Sequence, residues 1–332
     1  MSKAHDPDPL LDSLTGLVAA RALITATGLG IFDALAEGPL DADGVAARLE
    51  LDPLGAETLL TALLAMRYVD LDEDGTFRNG AVAERRLVRS SPDSIATFVG
   101  SQGDLHWEVL GMMTEAVRSG DAYAMHETRH EDAANWEAYM RGLYEISRDD
   151  HALDAKLVPL EAPRRLVDIA GGHGGFSMAM CRRHPELEAT IVDLPPSAAV
   201  GRKIVAEQGF ADRVSFREGD VFDVGLGTDV DIVSSFNLIH HLSEERNREL
   251  CRMARAALRP SGCLVIGDAA QPEAGERSSD RGAISSLLFY TWSHSRNFRP
   301  SEIQRWMQDA GFEDVSIHRN LLARWRVVVI GR

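Results

Sequence analysis

From about residue 160 onward the chain alternates short apolar runs with amphipathic segments, and this constrains its fold more than any other feature. "RRLVDIA" reads as a buried strand, then comes a glycine turn, then the helix "FSMAMCRRHP". "EATIVDLPP", "RVSFREGDVF", "VDIVSSFNLIHH" and "CLVIGDAA" read as four further strands. "SAAVGRKIVAEQG" and "SEERNRELCRMARAALRPSG" read as helices between them. Repeated strand–helix units predict a parallel, doubly wound sheet. At the end, "PSEIQRWMQDAGF" reads as a helix, and "EDVSIHR" with "RWRVVVIGR" as a hairpin that adds an antiparallel strand at one edge.

The first 95 residues follow another pattern. Residues 11–37 read as one long apolar helix in which Gly28 and Gly30 interrupt the spacing. Two shorter helices follow, "ADGVAARLEL" and "LGAETLLTALLAMRYV", then "YVDLDEDGTFRNG" as a hairpin around an Asp-Gly turn. Three helices and a hairpin are the order of a winged helix. Its third helix carries Glu57 and only Arg67, and the chain has a formal net charge of −16, so DNA binding is disfavoured. A protein–protein module fits better, because a small domain has little core in which to bury so apolar a first helix. The 332 residues divide on this reading into 1–95, a helical linker 96–155, and 156–332. Trp107, Met112, Met113, Trp136, Tyr139, Met140 and Tyr144 in the linker line an apolar pocket or pack as core.

The charge also disfavours anionic membrane surfaces. No apolar run is read as long enough to span a bilayer, and no signal peptide is read at the N-terminus. Cys181, Cys251 and Cys263 show no paired spacing, which suggests reduced thiols in a cytoplasmic protein.

In doubly wound sheets ligands sit at the carboxyl ends of the strands. "LVDIAGGHGGFS", residues 166–177, places Asp168 before Gly171, Gly172, Gly174 and Gly175. The turn lacks the last glycine of a dinucleotide fingerprint and the Gly-Lys-Ser/Thr of a P-loop. Asp193, about 20 residues on, can accept both hydroxyls of a ribose. Asp220 in "EGDVF" can meet an adenine amino group, with Phe222 on the ring face. His240 and His241 follow the fourth strand in "NLIHHLSEE", where His240 is placed as a general base and Asp268 can hold its tautomer. A metal set of His240, His241, Asp268 and His294, or of His126 and His130, is the less favoured reading, and no metal is expected.

Taken in order, "LVDIAGGHGG", "ATIVDLP", "REGDVF", "NLIHHLSEE", "ALRPSGCLVIGD" and "EIQRWMQDAGF" resemble the S-adenosylmethionine-dependent small-molecule O-methyltransferases with an N-terminal dimerisation domain. The family includes plant phenylpropanoid enzymes and bacterial polyketide and antibiotic tailoring enzymes, and the resemblance covers nearly the whole chain. It implies a Rossmann-like class I methyltransferase sheet of α/β class, with a C-terminal antiparallel hairpin and a mostly helical winged-helix dimerisation domain. It implies a cofactor site of Asp168, Gly171, Gly172, Gly174, Asp193, Leu194, Asp220, Val221, Phe222, Phe236 and Asn237. In that site the glycine turn takes the methionine part, Asp193 the ribose, and Asp220 with Phe222 the adenine. His240 falls at the base position and Asp268 at that of an orienting acid. Trp107, Met113, Met140, Asn237, His241, Phe289, Trp292 and His294 are expected to line the acceptor pocket.

The implied reaction transfers a methyl group from S-adenosylmethionine to a hydroxyl of a small aromatic or polyketide-type acceptor, leaving S-adenosylhomocysteine. The implied assembly is a homodimer. Three positions depart from the family pattern. Ala170 replaces a frequent glycine, and His241 replaces the Asp that often follows the base. "TWSHSRNFRPSE" lacks the acidic residue of a second orienting contact. The alternatives are the same cofactor site with C-methylation, decarboxylation, hydroxylation or cyclisation, and a winged-helix regulator that only binds the nucleoside.

Overall fold

The computed structural model describes residues 8–101, 103, 105–123, 133–276, 280–319 and 325–332, without the side chains of Ala133 and Asp280. The chain divides into two compact units, 1–107 and 108–332.

The first unit begins with α1 (Pro9–Leu29), started by Asp8, whose carboxylate accepts from the Leu10 and Leu11 amides at 3.0 and 3.2 Å. Gly30, at φ 81°, ends it in the left-handed conformation that suits glycine, and α2 (Ile31–Ala36) starts there in a new direction. The single helix expected over 11–37 is therefore two. α3 (Ala42–Leu49) and α4 (Pro53–Ala65) follow, capped by Asp41 and Asp52, then the antiparallel strands β1 (Val69–Leu71) and β2 (Phe77–Asn79). The short helix α5 (Ala81–Arg86) was not anticipated from the sequence, and α6 (Ala96–Ser101) opens the stretch read as a helical linker. Ile31, Phe32, Leu60, Leu63 and Val69 form the core of this unit. Leu10, Leu11, Leu14, Leu17 and Val18 on α1 stay exposed. Contrary to the sequence expectation, α1 is long and apolar enough to cross a membrane by length and composition, and only 11% of its most apolar stretch is buried.

α7 (Leu105–Ser119) crosses into the second unit, and α8 (Ala133–Asp154) follows. The sheet strands are β3 (Arg165–Ile169), β4 (Glu188–Asp193), β5 (Val214–Glu218), β6 (Val230–Phe236), β7 (Leu258–Ala269), β8 (Val315–Arg319) and β9 (Arg326–Gly331). Their order is β5-β4-β3-β6-β7-β9-β8. The first five run parallel, and β9 pairs antiparallel with both β7 and β8. The strand order reverses between β3 and β6, which is where such sheets open a ligand crevice.

α9 (Gly175–Arg183), α10 (Pro195–Glu207), α11 (Val221–Val224), α12 (Glu244–Ala257), α13 (Asp280–Ser293) and α14 (Pro300–Asp309) complete this unit. α12 starts at Ser243, whose hydroxyl accepts the Arg246 amide, and buries Leu250, Cys251, Ala254 and Ala257 along one face. That face and Ile303, Trp306 and Met307 of α14 cover Val167, Ile169, Val233, Leu264, Ile266, Val327 and Val329 of the sheet. Each such aliphatic side chain contributes about 1.5–3 kcal/mol on burial. β6 is buried at every residue, as a central parallel strand requires.

Four sequence expectations shift. The third strand stops at Glu218, so Asp220, Val221 and Phe222 begin a helix rather than end a strand. The helix expected over "SEERNRELCRMARAALRPSG" ends at Ala257, and Leu258 already belongs to β7. His240 and His241 lie on a 3₁₀ turn, Ile239–His241. α13 was not read as an element.

Candidate active site

β3 delivers the glycine turn to the carboxyl end of the sheet. Asp168, beneath it, is buried, and its two oxygens accept from Ser177 Oγ at 2.8 Å and Ser234 Oγ at 2.6 Å. Burial pushes its carboxyl up to about 6, against the pull of those hydroxyls. Both oxygens thus have internal partners. Gly171 makes room for it, because a Cβ there would stand 2.6 Å from Asp168 Oδ2.

Gly172 is a buried corner of the turn. Its φ is +49°, its amide donates to Asp193 Oδ2 at 2.8 Å, and an added Cβ would meet Met140 Cε at 3.1 Å. Met140 of α8, expected in the acceptor pocket, therefore also walls the glycine turn. Gly174, at φ +75°, is the N-cap position of α9. His173 takes over the capping that Gly174 cannot do. Its Nδ1 accepts the Gly175 amide at 3.1 Å, and burial pushes the imidazole down to about 4, so the ring is a neutral acceptor.

Asp193 is the last residue of β4. Its Oδ1 accepts from the Leu194 amide at 2.7 Å, and burial raises its carboxyl to about 6. Gly201, in the middle of α10, was missed by sequence reasoning. A Cβ there would lie 2.2 Å from the Gly172 carbonyl oxygen, so glycine lets α10 press against the turn. A glycine inside a helical pattern was the signal available for it.

Asp220 is exposed, and its Oδ1 caps α11 by accepting the Phe222 amide at 2.9 Å. Val221 faces the core. Phe222 is half-buried, and the Arg246 guanidinium lies 3.9 Å from its ring centroid. Phe236 is buried behind the turn, stacked near Phe176 at 4.3 Å. Asn237, just past β6, is exposed with φ +54°, and its amide donates to the Gly267 carbonyl at 2.9 Å. Left-handed backbone at a non-glycine residue is a strain that functional sites concentrate.

His240 sits one turn further on, 3% exposed. Its Nδ1 is 2.5 Å from Asp268 Oδ1, which also accepts the Ala269 amide at 2.6 Å. A carboxylate accepts, so Nδ1 carries the proton and Nε2 is the basic nitrogen. The Phe289 ring stacks on the imidazole at 3.7 Å, and His241 lies 4.2 Å from it. His241 Nδ1 is 2.6 Å from Ser293 Oγ. Trp292 is buried beside Phe289 and Tyr139. Thus α13, unseen in the sequence, gathers Phe289, Trp292 and Ser293 against the two histidines.

His294 does not join them. It is exposed, its ring lies against Tyr290 at 5.3 Å, and a Cβ on Gly120 would be 3.3 Å from its Nε2. Among the described residues no group of three or more His, Cys, Asp or Glu side chains could hold a metal, so the four-residue metal set does not form. His126 and His130 lie outside the described residues. Met113 is half-buried on α7. Trp107 belongs to the first unit, where the Arg21 guanidinium lies 5.0 Å from its ring centroid.

The carboxyl ends of the parallel strands thus carry a glycine turn and carboxylates after β3 and β4, and an oriented imidazole among aromatic rings after β6. Together with the strand order, this arrangement defines a class I methyltransferase. Residues 107–313 match the O-methyltransferase domain, and residues 11–89 the O-methyltransferase dimerisation domain. The chain belongs to the S-adenosylmethionine-dependent O-methyltransferase family.

It is 32% identical over 317 residues to 3-hydroxy-5-methyl-1-naphthoate 3-O-methyltransferase of Streptomyces sahachiroi, spanning 93% of this chain and 90% of that one. It is 28% identical over 322 residues to the tetracenomycin polyketide synthesis 8-O-methyl transferase TcmO of Streptomyces glaucescens, spanning 93% and 92%. The fold is that of human N-acetylserotonin methyltransferase in complex with S-adenosylmethionine, with TM-score 0.89, 20% identity, and coverage of 100% and 99%.

The residues present fit the methyl donor. Gly172 leaves a corner that a Cβ would fill, and the charged groups at the turn, Asp168 and Asp193, are acceptors. That set suits a nucleoside carrying a cationic amino acid better than it suits a phosphate.

Proposed function

We propose that the chain methylates a hydroxyl of a small aromatic or polyketide-type natural product, with His240 as general base and Asp268 as its orienting acid. The observation that carries this reading is the buried His240–Asp268 pair, with Phe289 stacked on the imidazole, at the carboxyl end of the parallel sheet. S-adenosylmethionine, when bound, supplies an electrophilic methyl on a sulfonium sulfur that leaves as a thioether. His240 Nε2 receives the proton of the acceptor hydroxyl as its oxygen becomes the nucleophile, and Asp268 stabilises the imidazolium. Gly172, Asp193 and Asn237 hold the methionine and ribose side, and the backbone of Asp220 and Val221 with Phe222 holds the adenine. Phe289, Trp292 and His241 clamp a flat acceptor, and Met113 and Met140 extend its pocket. The naphthoate and tetracenomycin relatives support an aromatic acceptor.

In this reading residues 1–95 are a winged-helix dimerisation module, 96–155 a helical linker, and 156–332 the cofactor domain. A second copy, rather than DNA or lipid, covers the exposed Leu14–Leu17–Val18 stripe of α1, and the enzyme works in the cytoplasm with its three buried thiols reduced.

Incubation with isotope-labelled S-adenosylmethionine and a panel of hydroxynaphthoates, hydroxyquinones and simple phenols, read by mass spectrometry, tests the acceptor class. At least one hydroxyl should gain the label. His240→Ala should slow that transfer about 10²–10⁴-fold, the usual share of general base catalysis, while S-adenosylhomocysteine still binds. Transfer at the wild-type rate in that variant would remove the base assignment.

A further inference from the structure

The 3₁₀ turn that carries His240 is three residues long, and such a turn has little stability of its own. Its internal closure is the Leu242 amide to the Ile239 carbonyl, at 3.2 Å. Asp268 and Phe289 hold the imidazole ring, yet neither holds the backbone from which that ring projects. The backbone is held at the Ile239 end from α12, and at the Leu242 end from α12 together with Ser295, whose hydroxyl donates to the Leu242 carbonyl at 2.8 Å. Asn247 is 1% exposed, and its Nδ2 donates to the Ile239 carbonyl at 3.0 Å and to the Leu242 carbonyl at 3.4 Å. These two carbonyls bracket His240 and His241. One buried amide therefore ties both ends of the turn to the first turns of a helix that is packed into the core through Leu250 and Cys251.

We propose that Asn247 is a positioning residue for the reaction: it fixes the main chain on either side of His240 so that the imidazole meets Asp268 with Nδ1 and keeps Nε2 as the basic nitrogen. The proposal rests on His240 as the base. It assigns to Asn247 no contact with either substrate. Its loss should act on proton transfer and spare cofactor binding, because the glycine turn and Asp193 stand at the ends of β3 and β4. An error of about 1 Å in a reacting group costs up to about 100-fold, and a loosened turn should cost about tenfold.

The test uses the full-length protein labelled with ¹⁵N-histidine, with the His240 resonances identified by their loss in His240→Gln. In the unsubstituted enzyme these should show an imidazole protonated at Nδ1. In Asn247→Ala they should move towards averaged tautomers, with S-adenosylhomocysteine affinity by calorimetry within about twofold of the unsubstituted value. Asn247→Asp keeps the shape and turns an oxygen towards the two carbonyls, so at pH 8 it should behave as Asn247→Ala does. In both variants kcat should fall about tenfold near neutral pH, and the defect should shrink as rising pH ionises the acceptor hydroxyl in solution. Unchanged His240 nitrogen shifts, a defect independent of pH, or a parallel loss of S-adenosylhomocysteine affinity would each overturn the proposal. Should His240→Ala methylate normally while Asn247→Ala still shifts the His240 signals, the base reading fails and the positioning of His240 by Asn247 stands.

Discussion

The two walls of the proposed site are built by different means. The cofactor wall is mostly main chain: Gly172 and Gly174 in left-handed conformations, amides donated to Asp193, and a helix brought close by Gly201. These parts lie near one another in sequence, between residues 168 and 201, and Asp220, Val221, Phe222 and Asn237 complete the proposed wall from further along the chain. The acceptor wall is mostly side chain, and its members come from α7, α8, β7, α13 and the turn after β6. Backbone geometry imposes residue types directly, whereas a clamp of side chains can be assembled from many sequences. The first wall therefore suits a donor common to a family, and the second can vary with the acceptor.

Three measurements bear on this division, the largest effect first. Asp268→Asn should lower kcat by about 100-fold, since it removes the charge that selects the His240 tautomer, and should leave the S-adenosylhomocysteine Kd unchanged. A Kd that rose in step with the kcat loss would mean that the two walls are not separable. Gly172→Val should do the reverse. A β-branched residue at φ +49° with Met140 in its way should cost about 2 kcal/mol, or about 30-fold in Kd, with kcat at saturating donor little altered.

The smallest effect is that of pH on the cofactor wall. Burial raises the Asp193 carboxyl to about 6, so the group is ionised at pH 8, half protonated near pH 6 and mostly protonated at pH 5.5. Only the carboxylate offers both oxygens as acceptors. S-adenosylhomocysteine affinity by calorimetry should therefore fall about fourfold between pH 8 and 5.5 as protons compete with the ligand. An affinity flat across that range would remove Asp193 as the pH-sensitive acceptor.

The same division explains what was legible in the sequence. Strand ends, the glycine turn, Asp193 and the pairing of His240 with Asp268 were readable, because each follows from a local pattern at a fixed place in a doubly wound sheet. Asp220 was read at the end of a strand, but its oxygen caps a short helix, which a strand reading hides. His294 was grouped with the other histidines as a possible ligand and pocket residue, yet its φ of +51° marks where the chain turns out of α13. Asn247 carried no signal, since a polar residue in a helix reads as solvent-facing until the packing shows it buried.

In the first unit, the break between α1 and α2 needed only Gly30, and the apolar stripe of α1 was visible as hydrophobic spacing. The sequence alone determined the fold class, the glycine turn and the acids around it, because periodicity and backbone-permissive residues act over a few neighbours. Only the tertiary structure decided which side chains surround His240. Asp268, Phe289 and Asn247 reach it from separate elements, and their meeting depends on how those elements pack.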